Sequence, residues 1–321
     1  VNSGLIRGVN PGGVPTRSCS FHRLWAGTLS TCQPRYPAPR FLRRWFPMAT
    51  ASQKEIPELS SVGLAYPQWQ DALEAAYASG QLSVIGEVSG GQVLQYADTS
   101  GATLTILAAP PYGSFVGLHP AGQLSTTGHV TMVNDLIGIV DIVADSPMLQ
   151  VSGASAPVIA SFTATVGQGP MIAEQEPLEY QPLSISALAT DVRIFPDAVA
   201  FAESGGTEVG SVTSRGLSEL NNGSASPHAQ ATIAVEVSEA ELKTNELNGQ
   251  QFWALTCRRP FEFCLAVAAD HPDLPTDATR PPFASPGAVI SGDVQFAISI
   301  NDPGACSPGG CGSGDCGCGG H

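Results

Sequence analysis

The last sixteen residues, "CSPGGCGSGDCGCGGH", hold four of the chain's eight cysteines and a terminal histidine. Cys306, Cys311, Cys316, Cys318 and His321 follow a C-x4-C-x4-C-x-C-x2-H spacing. Thiolate and imidazole are the ligands that zinc, copper(I) and iron–sulfur clusters prefer. Glycines beside Cys316 and Cys318 remove the penalty on left-handed backbone, so both sulfurs can turn towards one ion. Asp315 and the terminal carboxylate are further oxygen ligands. The expected cofactor is zinc or an iron–sulfur cluster.

Energetics set the quality of such a site. A zinc finger gains roughly 10–16 kcal/mol from its metal, with a small apolar core to help. After Ala305 the tail has no apolar residue besides its cysteines and Pro308. Ordering each residue costs about 1–2 kcal/mol, with glycine at the upper end. Binding should therefore be more labile than in a finger. That suits storage, sensing or delivery of a metal, with a metal-accepting or docking protein as partner. The run "CGCG" from Cys316 is similar to the C-terminal ligand pair of A-type iron–sulfur carriers; the third cysteine and the body of that family have no counterpart here.

Other reactive side chains are sparse. Cys257 and Cys264 flank "TCRRPFEFC", which carries Arg258 and Arg259, the one adjacent basic pair after Met48. A hairpin there would bring two sulfurs together as a redox pair or as extra ligands. Lone strand cysteines usually behave as small buried hydrophobes, and that is the expectation. The arginine pair reads as a solvated turn in preference to an anion site. His119, His129, His228 and His271 share no ligand spacing. Asp270, His271 and Asp273 have the composition of a general-base cluster, but a polar turn explains them more simply. Nucleophile-elbow, Walker A, zincin and dinucleotide-binding motifs are missing. A non-enzymatic protein is expected. The alternative is a small-molecule-binding protein or enzyme whose site lies between two β-domains, with the tail incidental.

Charge narrows the partners. Residues 1–47 contain Arg7, Arg17, Arg23, Arg35, Arg40, Arg43 and Arg44 and no acid, whereas all 28 Asp and Glu follow Met48. An acidic body repels phosphate backbones and anionic lipid, so neither nucleic acid nor membrane is an expected partner. No stretch approaches the ~20 apolar residues of a membrane span. The basic leader has the composition of a transit peptide. A translation start at Met48 is the preferred expectation, with residues 1–47 absent or disordered in a protein from a GC-rich bacterial genome. Without a secretory apolar run, clustered thiols point to a reducing cytoplasm.

The elements that must carry these groups are mostly strands. "YPQWQDALEAAYASG" puts Trp69, Ala72, Leu73 and Ala76 on one helical face, with Gly80 at the exit. After Gly80 the period becomes two in "LSVIGEV", "QVLQYA", "TLTILAA", "STTGHVTMV", "LIGIVDIVA" and "VIASFTATV". Strands resume in "SISAL", "VRIF", "AVAFA", "TIAVEV", "QFWALT", "FEFCLAVA" and "AVISGDVQFAISI". In "FEFCLAVA", Phe261, Phe263, Leu265 and Val267 share the apolar face, which turns Cys264 to the other. The fold class expected is mainly β, with two antiparallel barrel or sandwich domains and one N-terminal amphipathic helix. The divisions are 48–170, an acidic linker 171–183, 184–303 with a mobile loop 203–230, and a disordered Cys/Gly-rich tail 304–321. "QLSVIGEVSGGQVLQYADTSGA" can be laid on "PLSISALATDVRIFPDAVAFAE", with Leu82 opposite Leu183, which suggests a tandem duplication.

Overall fold

The helix and strand patterns fold as follows in a computed structural model, which describes residues 56–110, 112–119, 125–144, 156–206, 208–274 and 287–301. All lie in one unit, Ala51–His321. Two short helices lead, α1 (Pro57–Ser61) and α2 (Trp69–Ala78). On α2 the predicted face is the buried one: Ala72 and Ala76 are fully covered, with Trp69 and Leu73 packed beside them. Gly80 leaves the helix at φ +68°, where a side chain would be strained.

Four antiparallel strands follow as a meander, β1 (Ser83–Val88), β2 (Gly91–Ala97), β3 (Ala102–Ala108) and β4 (Gly113–Leu118). Tyr96, Leu104 and Val116 turn one face towards α1 and α2, while Val93 and Leu107 serve a smaller cluster on the other. Both faces being covered, Thr103 and Thr105 are buried as well.

The second sheet is larger and mixed. Its strands are β5 (Thr126–Met132), β6 (Ile137–Val143), β7 (Val158–Val166), β8 (Leu178–Phe195), β9 (Ser211–Ser214), β10 (Gln230–Thr244), β11 (Gln251–Cys257), β12 (Phe263–Ala268) and β13 (Val289–Ile300). The exclusively antiparallel arrangement that was expected is corrected here. β12 runs parallel to β8, with Cys264 opposite Ser186, and β7 runs parallel to β13, with Thr165 opposite Ala297.

These parallel contacts close two rings on a shared ribbon. β8 and β13 pair antiparallel from Leu183–Ile300 to Phe195–Val289. One ring runs β8, β5, β6, β7, β13; the other runs β13, β10, β11, β12, β8. In each, three strands form an antiparallel meander, and the fourth crosses to complete the opposite ring. Leu183, Ile185 and Ala187 on β8 and Val294, Phe296 and Ile298 on β13 all enter one core. Phe162 of β7 stacks on Phe261, which precedes β12, with ring centroids 5.3 Å apart and planes within 9°. Closure of this kind removes free sheet edges.

Several local expectations change. "AVAFA" alternates like a strand but forms helix α4 (Ala198–Glu203), because the Asp197 carboxylate caps it by accepting from the Ala200 N–H at 2.8 Å. "SISAL" and "VRIF" are one strand, β8, bent where its register to β13 shifts beside Thr190. The segment 171–183 contributes to the packing. Met171 lies in helix α3 (Gly169–Ile172), and a Cβ on Gly86 of β1 would overlap its sulfur. Residues 178–183 already belong to β8 and pair with β5. Likewise 203–230 contains β9 and helix α5 (Arg215–Asn222), whose Ser214 cap accepts from Leu217 N–H. The two stretches laid together in sequence differ in form: 81–102 is centred on a hairpin, 182–203 on a strand and a helix.

Candidate functional site

The sequence-predicted ligands Cys306, Cys311, Cys316, Cys318 and His321 lie outside the described residues. Among the described residues, no group of three or more His, Cys, Asp or Glu is placed to hold a metal ion.

The thiols of the body are separated by the sheet itself. Cys257 pairs with Phe263 and Cys264 with Thr256, so neighbouring positions send them to opposite faces. Cys257 enters the core of the rings, Cys264 the core beneath α1 and α2. Burial pushes both thiols up, Cys264 to about 12. They cannot meet as a redox pair or share an ion. The hydrophobic reading holds.

Arg258 forms an ion pair with Glu239 at 2.6 Å on the exposed end of β10 and β11. His271 caps backbone: one ring nitrogen reaches the Val192 carbonyl at 3.1 Å and the other accepts from Asp273 N–H, whose carboxylate accepts from Ile194 N–H. This is the polar turn expected of "ADHPDLP". His129 accepts from Tyr180 N–H at 3.1 Å, and its ring meets the Tyr180 ring edge-on. His119 is held low by burial, and its Nδ1 has no partner among the described residues.

His228 borders a cleft, and His271 lines a separate, smaller cavity beside Pro57 and Thr190. Between the small sheet and the rings lies a cleft of about 320 Å³, walled by β4, the β5–β6 turn, β13 and the segment entering β10, with Glu58 of α1 and Trp69 of α2 at its helical side. The two His228 nitrogens are already engaged. Nδ1 accepts from Gln230 N–H, so Nε2 carries the proton and donates to Glu219 at 2.7 Å. Glu219 also pairs with Arg215, and Arg215 reaches Asp293 and the side-chain amide oxygen of Gln230. A histidine so occupied positions the wall and has no free nitrogen for proton transfer.

The remaining polar wall is built by local rules. Pro57 at the start of α1 fixes the turn that presents Glu58, and Gln295 of β13 donates its amide N–H to that carboxylate. Asn134 takes the Leu136 and Ile137 N–H groups on its side-chain oxygen, which closes the β5–β6 turn. Phe115 contributes aromatic surface, backed by the fully buried Phe296. Sequence reading placed Trp69 on a buried helical face. Glu58, Asn134 and Gln295 were not singled out, because nothing local relates positions so far apart in the chain.

No protein-family model matches this chain, and neither a curated protein nor a solved structure matches it significantly.

Proposed function

We propose that the protein is a non-enzymatic metal-binding protein, in which Cys306, Cys311, Cys316, Cys318 and His321 take up zinc or an iron–sulfur cluster on a β-rich docking body. The spacing of five soft ligands within sixteen residues carries this reading. The body's own thiols support it: Cys257 and Cys264 are sealed, so soft-metal chemistry falls to the tail. Free thiolates in that number suit a reducing cytoplasm and a metal-accepting partner protein. The test is elemental analysis of anaerobically purified protein, with and without residues 306–321. Zinc or iron near stoichiometry that disappears with the tail supports the proposal; metal-free protein with every tail thiol open to alkylation overturns it.

The cleft beside Trp69 favours a second reading, a small-molecule-binding protein. Its volume falls at the low end of ligand sites, and it combines aromatic walls with a few convergent polar groups. Protein-detected NMR of the full chain with a fragment library tests it. Shifts gathered on Glu58, Trp69 and Gln295 support the reading; shifts scattered over the surface remove it.

We also infer a duplication with boundaries other than those read from sequence, 126–189 onto 230–300. The repeated pairing scheme of the two rings and the stacked Phe162–Phe261 pair support it.

A further inference from the structure

We infer that the cleft takes a neutral polyhydroxylated ring, a mono- or disaccharide; this rests on the small-molecule reading above and names its ligand class. The argument begins with charge. Glu58 and His228 are the ionisable side chains in the described wall, and both imidazole nitrogens are engaged by Glu219 and Gln230. No Lys or Arg lines the cleft among the described residues, and the body around it is acidic. Phosphates and carboxylates are therefore repelled.

Hydrogen-bond accounting then separates a sugar from an organic cation. A carboxamide offers two N–H donors and one acceptor oxygen. The Asn134 oxygen is taken by Leu136 and Ile137, and the Gln230 oxygen by Arg215, which leaves the NH2 group of each to donate. Gln295 gives one N–H to Glu58, which leaves its other N–H to donate and its oxygen to accept, together with the second Glu58 oxygen. Among the described residues the cleft thus retains N–H donors on Asn134, Gln230 and Gln295, acceptor oxygens on Gln295 and Glu58, and the hydroxyls of Ser114 and Thr165. A hydroxyl both donates and accepts, so vicinal hydroxyls satisfy such a mixed set, whereas an ammonium ion would leave the amide donors unmatched.

The apolar surface agrees with this class. Trp69 and Phe115 present aromatic carbon on which the C–H face of a pyranose can lie, as polarised C–H groups meet the negative ring face. A cleft of about 320 Å³ accommodates one or two rings and no long polymer.

The experiment is calorimetric titration of the full chain with D-glucose, D-galactose, D-mannose, N-acetyl-D-glucosamine and their disaccharides, with tryptophan emission followed in parallel and compared with that of Trp69→Phe. Tetramethylammonium and inorganic phosphate are the comparison probes. At least one sugar should bind saturably, and its deoxy analogues should bind at least about tenfold more weakly, since they leave wall groups unpaired. Gln295→Ala and Gln230→Ala should each weaken binding about tenfold with unchanged circular dichroism; Gln230 is at the rim and keeps the test open if the Gln295 variant misfolds. Saturable binding of tetramethylammonium or phosphate without any sugar overturns the ligand class and leaves the cleft reading standing. Silence from every probe, with cleft resonances unmoved by the fragment library, overturns both.

Discussion

Asp98 shows how one buried charge is made stable and what it ties together. It sits in the β2–β3 turn and accepts from Tyr96 Oη–H, Ser100 N–H and Glu246 N–H, each at 2.8 Å. Burial alone would raise its pKa. The hydrogen bonds from Ser100, Tyr96 and Glu246 outweigh that and hold the carboxyl below its ordinary 3.8. Because the folded value is depressed, the stabilisation is present above pH 3.8 and is lost as pH falls through the folded value. Asp98→Ala should cost about 3 kcal/mol in urea denaturation at pH 7, by removing charge-assisted bonds between the small sheet and the β10–β11 turn. A loss below 1 kcal/mol would mean the clasp is dispensable. The thiols run with the opposite sign. Cys257 and Cys264 are raised by burial, so their contribution is complete below the ordinary 9.0 and fades as pH climbs above it. In native protein at pH 8, iodoacetamide should leave both unmodified by mass spectrometry and label them only in denaturant.

At the scale of elements, the β8–β13 ribbon decides whether both rings can close. Gly292 takes φ +149° beside the register shift, and a Cβ there would stand 2.2 Å from the Asp191 carbonyl oxygen. The main chains approach too closely for any side chain. Gly292→Ala should therefore lose about 2–3 kcal/mol of stability, measured by thermal or urea unfolding. An unchanged melting temperature would show that the ribbon yields without cost. The neighbouring elements also show where local reading fails. Alternation in "AVAFA" suits a strand, yet one aspartate cap and four residues of helix-compatible sequence win, since Phe201 alone needs burial, against Phe195. β8 was read in two pieces because both faces of its middle are buried, which erases the alternation that marks a half-exposed strand.

Across the described body, one hydrophobic core runs through both rings. Val140 and Phe162 of the first belong to the same cluster as Leu255 and Phe263 of the second. Residues from before and after 171–183 are thus mutually supporting. Urea unfolding followed by tryptophan emission and by far-ultraviolet circular dichroism should give coincident single transitions. Two resolved transitions would show that the 48–170 and 184–303 divisions fold independently.

The amino-acid sequence by itself determined the β-rich class, helix α2 and the position of most strands, because hydrophobic period and turn residues act within a few positions. It also determined the composition of the soft-ligand tail and the buried character of Cys257 and Cys264. Tertiary structure alone decided that β7 meets β13 and β12 meets β8, that the two thiols face separate cores, and that Glu58 reaches Gln295. Those outcomes depend on which distant strand closes each ring. Ring closure is set by the summed burial of many residues, and no local pattern contains it.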